Sequence, residues 1–227
     1  MKLGEILDSL VSSELANLGF VQDGEIVQGK IPKIVNAINL GLVKLYTRFK
    51  LKRGYLLLEV SSALNVYELT HSNAVSSGNL TGYILDTDAP YLGDLLEIIE
   101  IVSPSGDSIR FDGSQGLTLL KPNTIKFIGT PTEGLYAIEY AALPNKLIYS
   151  NAVDIEVELP DVYLSALLYF IGSRFYSSVG VSMDSNRNSM DISYSQRYEA
   201  ECQFLEMKGV DVGTNTNTDF FNARGFI

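Results

Sequence analysis

Apolar residues recur at helical spacing twice within the first fifty positions. Leu3, Ile6, Leu7, Leu10, Leu15 and Leu18 mark one face, and Gly19 stands where a C-terminal cap belongs. A Gly/Asp turn at 21–24 leads to a second run of Ile31, Ile34, Val35, Ile38, Leu42, Leu45, Tyr46 and Phe49, with Pro32 in its first turn. Together they predict an αα-hairpin. From Gly54 the pattern shifts to short apolar or alternating runs (YLLLEV, GYILDT, LLEIIEIV, SIRF, LTLL, TIKFIG, LYAIEYAAL), separated by turn residues such as SPSGD, DGSQG and KPN. EIIEIVSPSGDSIRF is the strongest hairpin signal. Asp154, Glu156 and Glu158 then alternate with apolar residues up to Pro160.

Helical spacing returns after Pro160. Val162, Leu164, Leu167, Leu168, Phe170, Ile171 and Phe175 make a segment apolar nearly all round, which predicts a central, buried helix with Leu167, Leu168 and Ile171 in the core. A Gly/Ser/Asn-rich stretch from Gly180 to Ser189 interrupts it. Tyr194, Tyr198, Cys202 and Leu205 then share a face of a last helix ending near Gly209. The expected fold is α+β, a helical body made from an N-terminal αα-hairpin and two C-terminal helices with a β-rich insertion between them. In residue numbers this is 1–53 for the hairpin, 54–159 for the insertion, 160–209 for the closing helices and 210–227 for a polar tail. The tail has too little apolar surface to offset the entropy of ordering by itself, yet it spaces Phe220, Phe221, Phe226 and Ile227 around Arg224 like anchors for a partner's clefts.

Composition narrows the function classes. A chain of 227 residues buries a sizeable core without staples, and its one Cys and one His exclude a disulfide framework, a Cys-rich zinc site and a multi-histidine metal site. No apolar run approaches the roughly 18 residues of a membrane span, and MKLGEILDSL has no basic region leading into an apolar one, which predicts no signal peptide. The net charge of −10 argues against a protein that coats nucleic acid.

Candidate chemistry is sparse. His71, in YELTHSN, has no nucleophile or orienting carboxylate at a recognisable spacing, and Cys202 sits on an apolar stripe, as an inert buried thiol does. Asp86, Asp88 and Asp94 hint at a calcium loop ending at Glu97, but Pro90 occupies a ligand position and Tyr91 the place of the required Gly. Asp154, Glu156 and Glu158 read by default as a solvated strand face. Glu97 and Glu100, an odd number of positions apart, are expected on opposite faces of a strand. With no phosphate-binding loop either, the sequence predicts no catalytic residue, metal or cofactor. Charge placement says more. Between Ile26 and Leu58 every charge is basic, and Lys30, Lys33, Lys44 and Arg48 fall together beside the apolar face of the second helix. From Asn151 on, acidic side chains outnumber basic ones. The basic edge reads either as an ordinary solvated face or as an edge that faces DNA or a neighbouring subunit.

LPDVYLSALLYFIGSRFYSSVG resembles a segment of the head-to-tail adaptor proteins of tailed bacteriophages, where a Leu-Pro start leads into a helix carrying Tyr, Leu and Ala and then an Arg followed by an aromatic. Here these are Leu159, Pro160, Tyr163, Ala166, Leu167, Tyr169, Arg174 and Phe175. TEGLYAIEYAALPNKL is similar to that family's closing β-strand and its small-residue-Pro turn. The resemblance implies a non-enzymatic virion structural protein, made in the host cytoplasm and located at the neck between capsid and tail. It implies a homo-oligomeric, typically twelve-fold ring that extends the DNA channel beneath the portal protein and carries the tail nozzle or tail tube, with the C-terminal tail on the portal. The large β insertion departs from the family's pattern. The alternative is an accessory β-domain of a fibre or baseplate that binds carbohydrate or protein. Thirteen Tyr and no Trp weigh modestly against sugar stacking.

Overall fold

The computed structural model describes residues 1–16, 19–79, 81–86, 90–149, 154–178 and 185–209. The chain divides into a unit built from Met1–Phe49 and Pro144–Asp211 and a second built around Lys50–Leu143.

In the first unit, helix α1 (Leu3–Ser12) buries Leu3, Ile6, Leu7 and Leu10, and the Glu5 carboxylate accepts the Lys2 backbone N–H at 2.9 Å. The helix stops short of the expected Leu18, which lies outside the described residues. The hydroxyls of Ser12 and Ser13 donate to the carbonyls of Asp8 and Ser9, competing with the helical ladder. Leu15 is nevertheless buried. Strands β1 (Val21–Gln22) and β2 (Glu25–Ile26) pair across Asp23 and Gly24. Both turn residues have positive φ, at 54° and 83°, as a two-residue hairpin turn requires.

Helix α2 (Ile31–Phe49) buries Ile34, Val35, Ile38, Leu42, Leu45, Tyr46 and Phe49, the face read from the sequence. A 3-10 turn at Asp161–Tyr163 leads into α3 (Leu164–Ser178), which packs on α1, α2 and on α4 (Ser185–Met207). Leu167 and Ile171 are fully buried. Leu168 is half-buried and Val162, in the turn before the helix, is exposed, so these two are not core residues. Helix α4 begins inside the expected break, because Ser and Asn at 185–186 suit a helix start as well as a loop.

At Gly41 the two central helices come so close that an added Cβ would lie 2.5 Å from Leu167 Cδ1 and 3.0 Å from Phe170 Cδ1. Gly41→Ala is therefore expected to overpack this contact and cost about 1–3 kcal/mol in chemical denaturation. An unchanged midpoint would show that α2 and α3 separate freely there.

Residues 144–149 and 154–159 were expected in the β-rich insertion but pack with the helices. Asn39 pairs with the Leu147 backbone in both directions, at 2.9 and 3.0 Å. The Tyr46 hydroxyl donates to the Glu158 carbonyl. Residues 155–157 lie antiparallel to the N-terminus, with Leu3 N–H donating to Ile155 O and Val157 N–H to Met1 O, both at 2.9 Å.

The second unit contains β3 (Arg53–Val60), β4 (Val66–Glu68), β5 (Ile84–Leu85), β6 (Leu95–Val102), β7 (Leu117–Lys121), β8 (Thr124–Phe127) and β9 (Gly134–Ala142). Among the described residues these form two antiparallel sheets, ordered β5-β3-β9-β6 and β4-β8-β7. Leu56, Leu58, Ile98, Ile101 and Ile138 from the first sheet share one buried cluster with Tyr67, Leu117, Ile125 and Phe127 from the second. Edge-to-face contacts of Phe127 with Tyr67 and Tyr136 lie in this cluster. The expected hairpin after β6 closes through Ser103 N–H to Asp107 O at 2.9 Å, but its second arm keeps only the bridge at Ser108.

Candidate functional site

The residues with the most chemical potential are held by their surroundings. His71 Nδ1 lies 2.6 Å from the Tyr91 carbonyl, which can only accept, so Nδ1 carries the proton of that bond. Asp86 is buried and accepts from Ser76 N–H, Ser76 Oγ and Tyr91 N–H. Burial alone would raise its carboxyl, but these donors outweigh it and hold the group below the usual carboxylate range. Asp94 accepts from the Tyr140 hydroxyl at 3.1 Å, and Asp88 lies outside the described residues. Asp86 and Asp94 thus organise the loops around Tyr91. Cys202 is fully buried in α4, and burial pushes its thiol up. Among the described residues no three His, Cys, Asp or Glu side chains gather as a metal would require, and no helix is long and apolar enough to cross a membrane.

Glu97 and Glu100 share a face, contrary to the expectation from their spacing. Bulges in β6 on either side of Ile98 shift the register, so that they pair with Ala141 and Glu139 of β9, two residues apart. On that face the Arg53 guanidinium pairs with the Glu139 carboxylate, whose side chain is only 8% exposed. Tyr55 lies opposite Glu139, and its hydroxyl is raised by burial and by that carboxylate. Lys50 meets Glu97 at 3.0 Å. Sequence reading missed this charged sheet face. The available signal was a lone Glu inside the apolar run LYAIEYAAL.

The basic edge of α2 divides. Arg48 is engaged within the chain, with both Nη atoms 2.8 Å from the two Glu199 oxygens and Nε 2.6 Å from Glu206 Oε1. Lys30 rests over the Phe20 ring at 5.7 Å. Lys33 and Lys44 are exposed. Between them on the outer face of α2 lie Leu40 and Val43, 44% and 41% exposed. The alternating carboxylates of Asp154, Glu156 and Glu158 are exposed while Val157 and Leu159 are buried, which makes them a solvated face. Asp154 takes Lys2 at 3.0 Å. Phe220, Phe221, Arg224, Phe226 and Ile227 lie outside the described residues.

The Arg48 clamp has a pH signature. Its hydrogen bonds hold the carboxyls of Glu199 and Glu206 below the usual range and raise the guanidinium. A carboxyl with a depressed folded value contributes stability in full above its unfolded value, and loses it as pH falls through the folded one. The melting-temperature difference between wild type and Arg48→Met should therefore be present at pH 7 and shrink as the pH drops below the ordinary Glu range. A difference that stays constant down to pH 3 would mean that the clamp contributes by packing alone.

Compared with known proteins, the chain matches no family model and no curated sequence.

Proposed function

We propose that the chain is a head-to-tail adaptor of a tailed bacteriophage, a non-enzymatic structural protein of the virion neck that forms a homo-oligomeric ring between portal and tail around the DNA channel. The observation that carries this reading is the way the chain builds its helical unit. Helices from both ends of the sequence close one body, Leu159-Pro160 opens the central helix, and a separate β unit is inserted between positions 49 and 144. Helices at both ends of the chain around a β-rich middle match the layout of the family that the chain resembles, and the size of the β part is where it departs. The outward lysines and exposed apolar residues of α2 fit a protein that works by contact with neighbours. In this reading the tail from 210 to 227 reaches the portal. Mass photometry and negative-stain imaging of the purified chain, with and without the cognate portal, test the proposal. A ring of about twelve copies that docks on the portal is expected, and a chain that stays monomeric under both conditions would refute it.

One observation favours the alternative of a binding module. A cleft of about 380 Å³ in the β unit is rimmed by Ser103, Ser105, Asp107, Thr130 and Thr132 over Phe127 and Tyr136. Ser103, Ser105 and Asp107 already bond to one another, and both rings are buried, so the cleft offers no exposed stacking platform. Glycan-array binding abolished by Asp107→Ala with Thr130→Ala would favour this second reading.

A further inference from the structure

We infer that the acidic cleft of the β unit between Glu59 and Glu133 receives a second copy of this chain, which docks there with the exposed strip of its α2, Lys33, Leu40, Val43 and Lys44. The inference rests on the self-assembly proposed above and assigns its contact surfaces.

The cleft encloses about 480 Å³. Alternation along β3 turns Leu56, Leu58 and Val60 into the core and leaves Glu59 exposed. Its cross-strand neighbour in β9 is Leu135, 38% exposed, and Leu64, between β3 and β4, is 46% exposed. The Glu59 side chain makes no hydrogen bond or ion pair among the described residues. Glu133 accepts from the hydroxyl and the backbone N–H of Ser62, neutral donors that hold its carboxyl below the usual range and leave its charge in place. The Tyr67 and Tyr83 hydroxyls are committed to the backbones of Ser61 and Glu68. What the cleft presents is therefore chiefly apolar surface and two carboxylates, and the ligand it fits is a convex apolar surface with cations at its margin.

The outer face of α2 is such a surface. Lys33, Leu40 and Lys44 fall within about 40° of one another around the helix, with Val43 about 60° from Leu40. Neither lysine makes a hydrogen bond or ion pair among the described residues, and Glu199, whose charge reaches Lys44, is clamped by Arg48. Strip and cleft are different surfaces, so a copy that engages one neighbour through its strip still offers its cleft to another. That is a heterologous contact, which closes into a ring when the rotation allows. Opposite charges at the margin set orientation and encounter rate, while Leu40 and Val43 against Leu64 and Leu135 supply the buried apolar area. Nucleic acid fits the strip less well, because Arg48 is committed to Glu199 and Glu206 and the two outward lysines flank apolar side chains.

The test uses the full chain and two charge-reversed variants, Lys33→Glu with Lys44→Glu and Glu59→Lys with Glu133→Lys, with circular dichroism confirming that each is folded. If loss of the Ser62 contact unfolds the second variant, Glu59→Lys alone takes its place. Mass photometry should find the wild type assembled, with a population that declines as salt rises. Each variant alone should associate at least tenfold more weakly. An equimolar mixture should regain the wild-type mass, since every contact in an alternating assembly is again between opposite charges. If the wild type assembles and either variant matches it, or the mixture fails to recover, the pairing assigned here is wrong while the assembly stands. A wild type that stops at two copies, with both variants weakened and the mixture restored, supports the pairing and refutes the ring. A monomeric wild type overturns both. Duplex DNA binding that is lost in Lys33→Glu with Lys44→Glu while assembly persists would assign the strip to nucleic acid and overturn the inference.

Discussion

Replacing Glu139 by Ala should destabilise the β unit by about 3–5 kcal/mol, as removing one partner of a buried ion pair does. Arg53 is 20% exposed and Glu139 8%, so little water is available to either. The Nε of Arg53 already lacks a hydrogen-bond partner among the described residues. Without the carboxylate, a guanidinium in the same place would lose its counter-charge as well. Arg53→Ala should cost nearly as much, by leaving the Glu139 carboxylate without its counter-charge. The double replacement Arg53→Met with Glu139→Leu should cost far less than the sum of the two single changes, because a well-packed apolar pair removes the desolvation penalty along with the attraction. Urea denaturation of the three variants, followed by tyrosine fluorescence, measures the cycle. A single-variant cost below about 1 kcal/mol, the range of an exposed pair, would show that the sheet face is wet.

Leu167→Ala is expected to cost about 2–5 kcal/mol by removing the side chain that fills the contact of α3 with Gly41 of α2. For a chain of this size each kcal/mol shifts the melting temperature by roughly 2–4 °C, so a loss of about 4–20 °C should appear in the helical signal. Leu168→Ala, one position along but only half-buried, serves as the internal control and should cost clearly less. Equal losses at the two positions would mean that α3 is enclosed all round. No loss at Leu167 would displace α3 from the centre of the unit.

These two sites illustrate what can be read from the sequence and what cannot. The buried face of α2 was legible because helical geometry converts a spacing of three and four directly into a stripe. The β unit was legible in kind, since alternating runs and turn residues are local signals. Three features depended on non-local events. The end of α1 turns on which carbonyls the hydroxyls of Ser12 and Ser13 choose. The shared face of Glu97 and Glu100 depends on two bulges that alternation alone cannot reveal. The placement of 144–149 and 154–159 depends on single contacts reaching across more than a hundred residues, from Asn39 to Leu147 and from Tyr46 to Glu158. The Arg53–Glu139 pair likewise joins residues 86 positions apart. For the candidate site, the sequence located the basic edge of α2, while only the structure separated the engaged Arg48 from the outward Lys33 and Lys44.

The discontinuity of the helical unit also governs the order in which the chain can mature during synthesis. When α2 has left the ribosome, its apolar face has no partner, because Leu167 and Ile171 lie more than a hundred codons downstream. Lys50–Leu143 is by contrast a continuous stretch and can condense as soon as it has emerged. At about 5–20 residues per second, α1 and α2 wait on the order of 6–25 s before α3 appears. During that interval Ile34, Ile38, Leu42 and Leu45 are available to chaperones or to the same segment on neighbouring nascent chains. Slow translation between codons 50 and 160 would lengthen this exposure, and a circular permutant opened within 50–143, with the old termini joined, would shorten it by making all four helices contiguous.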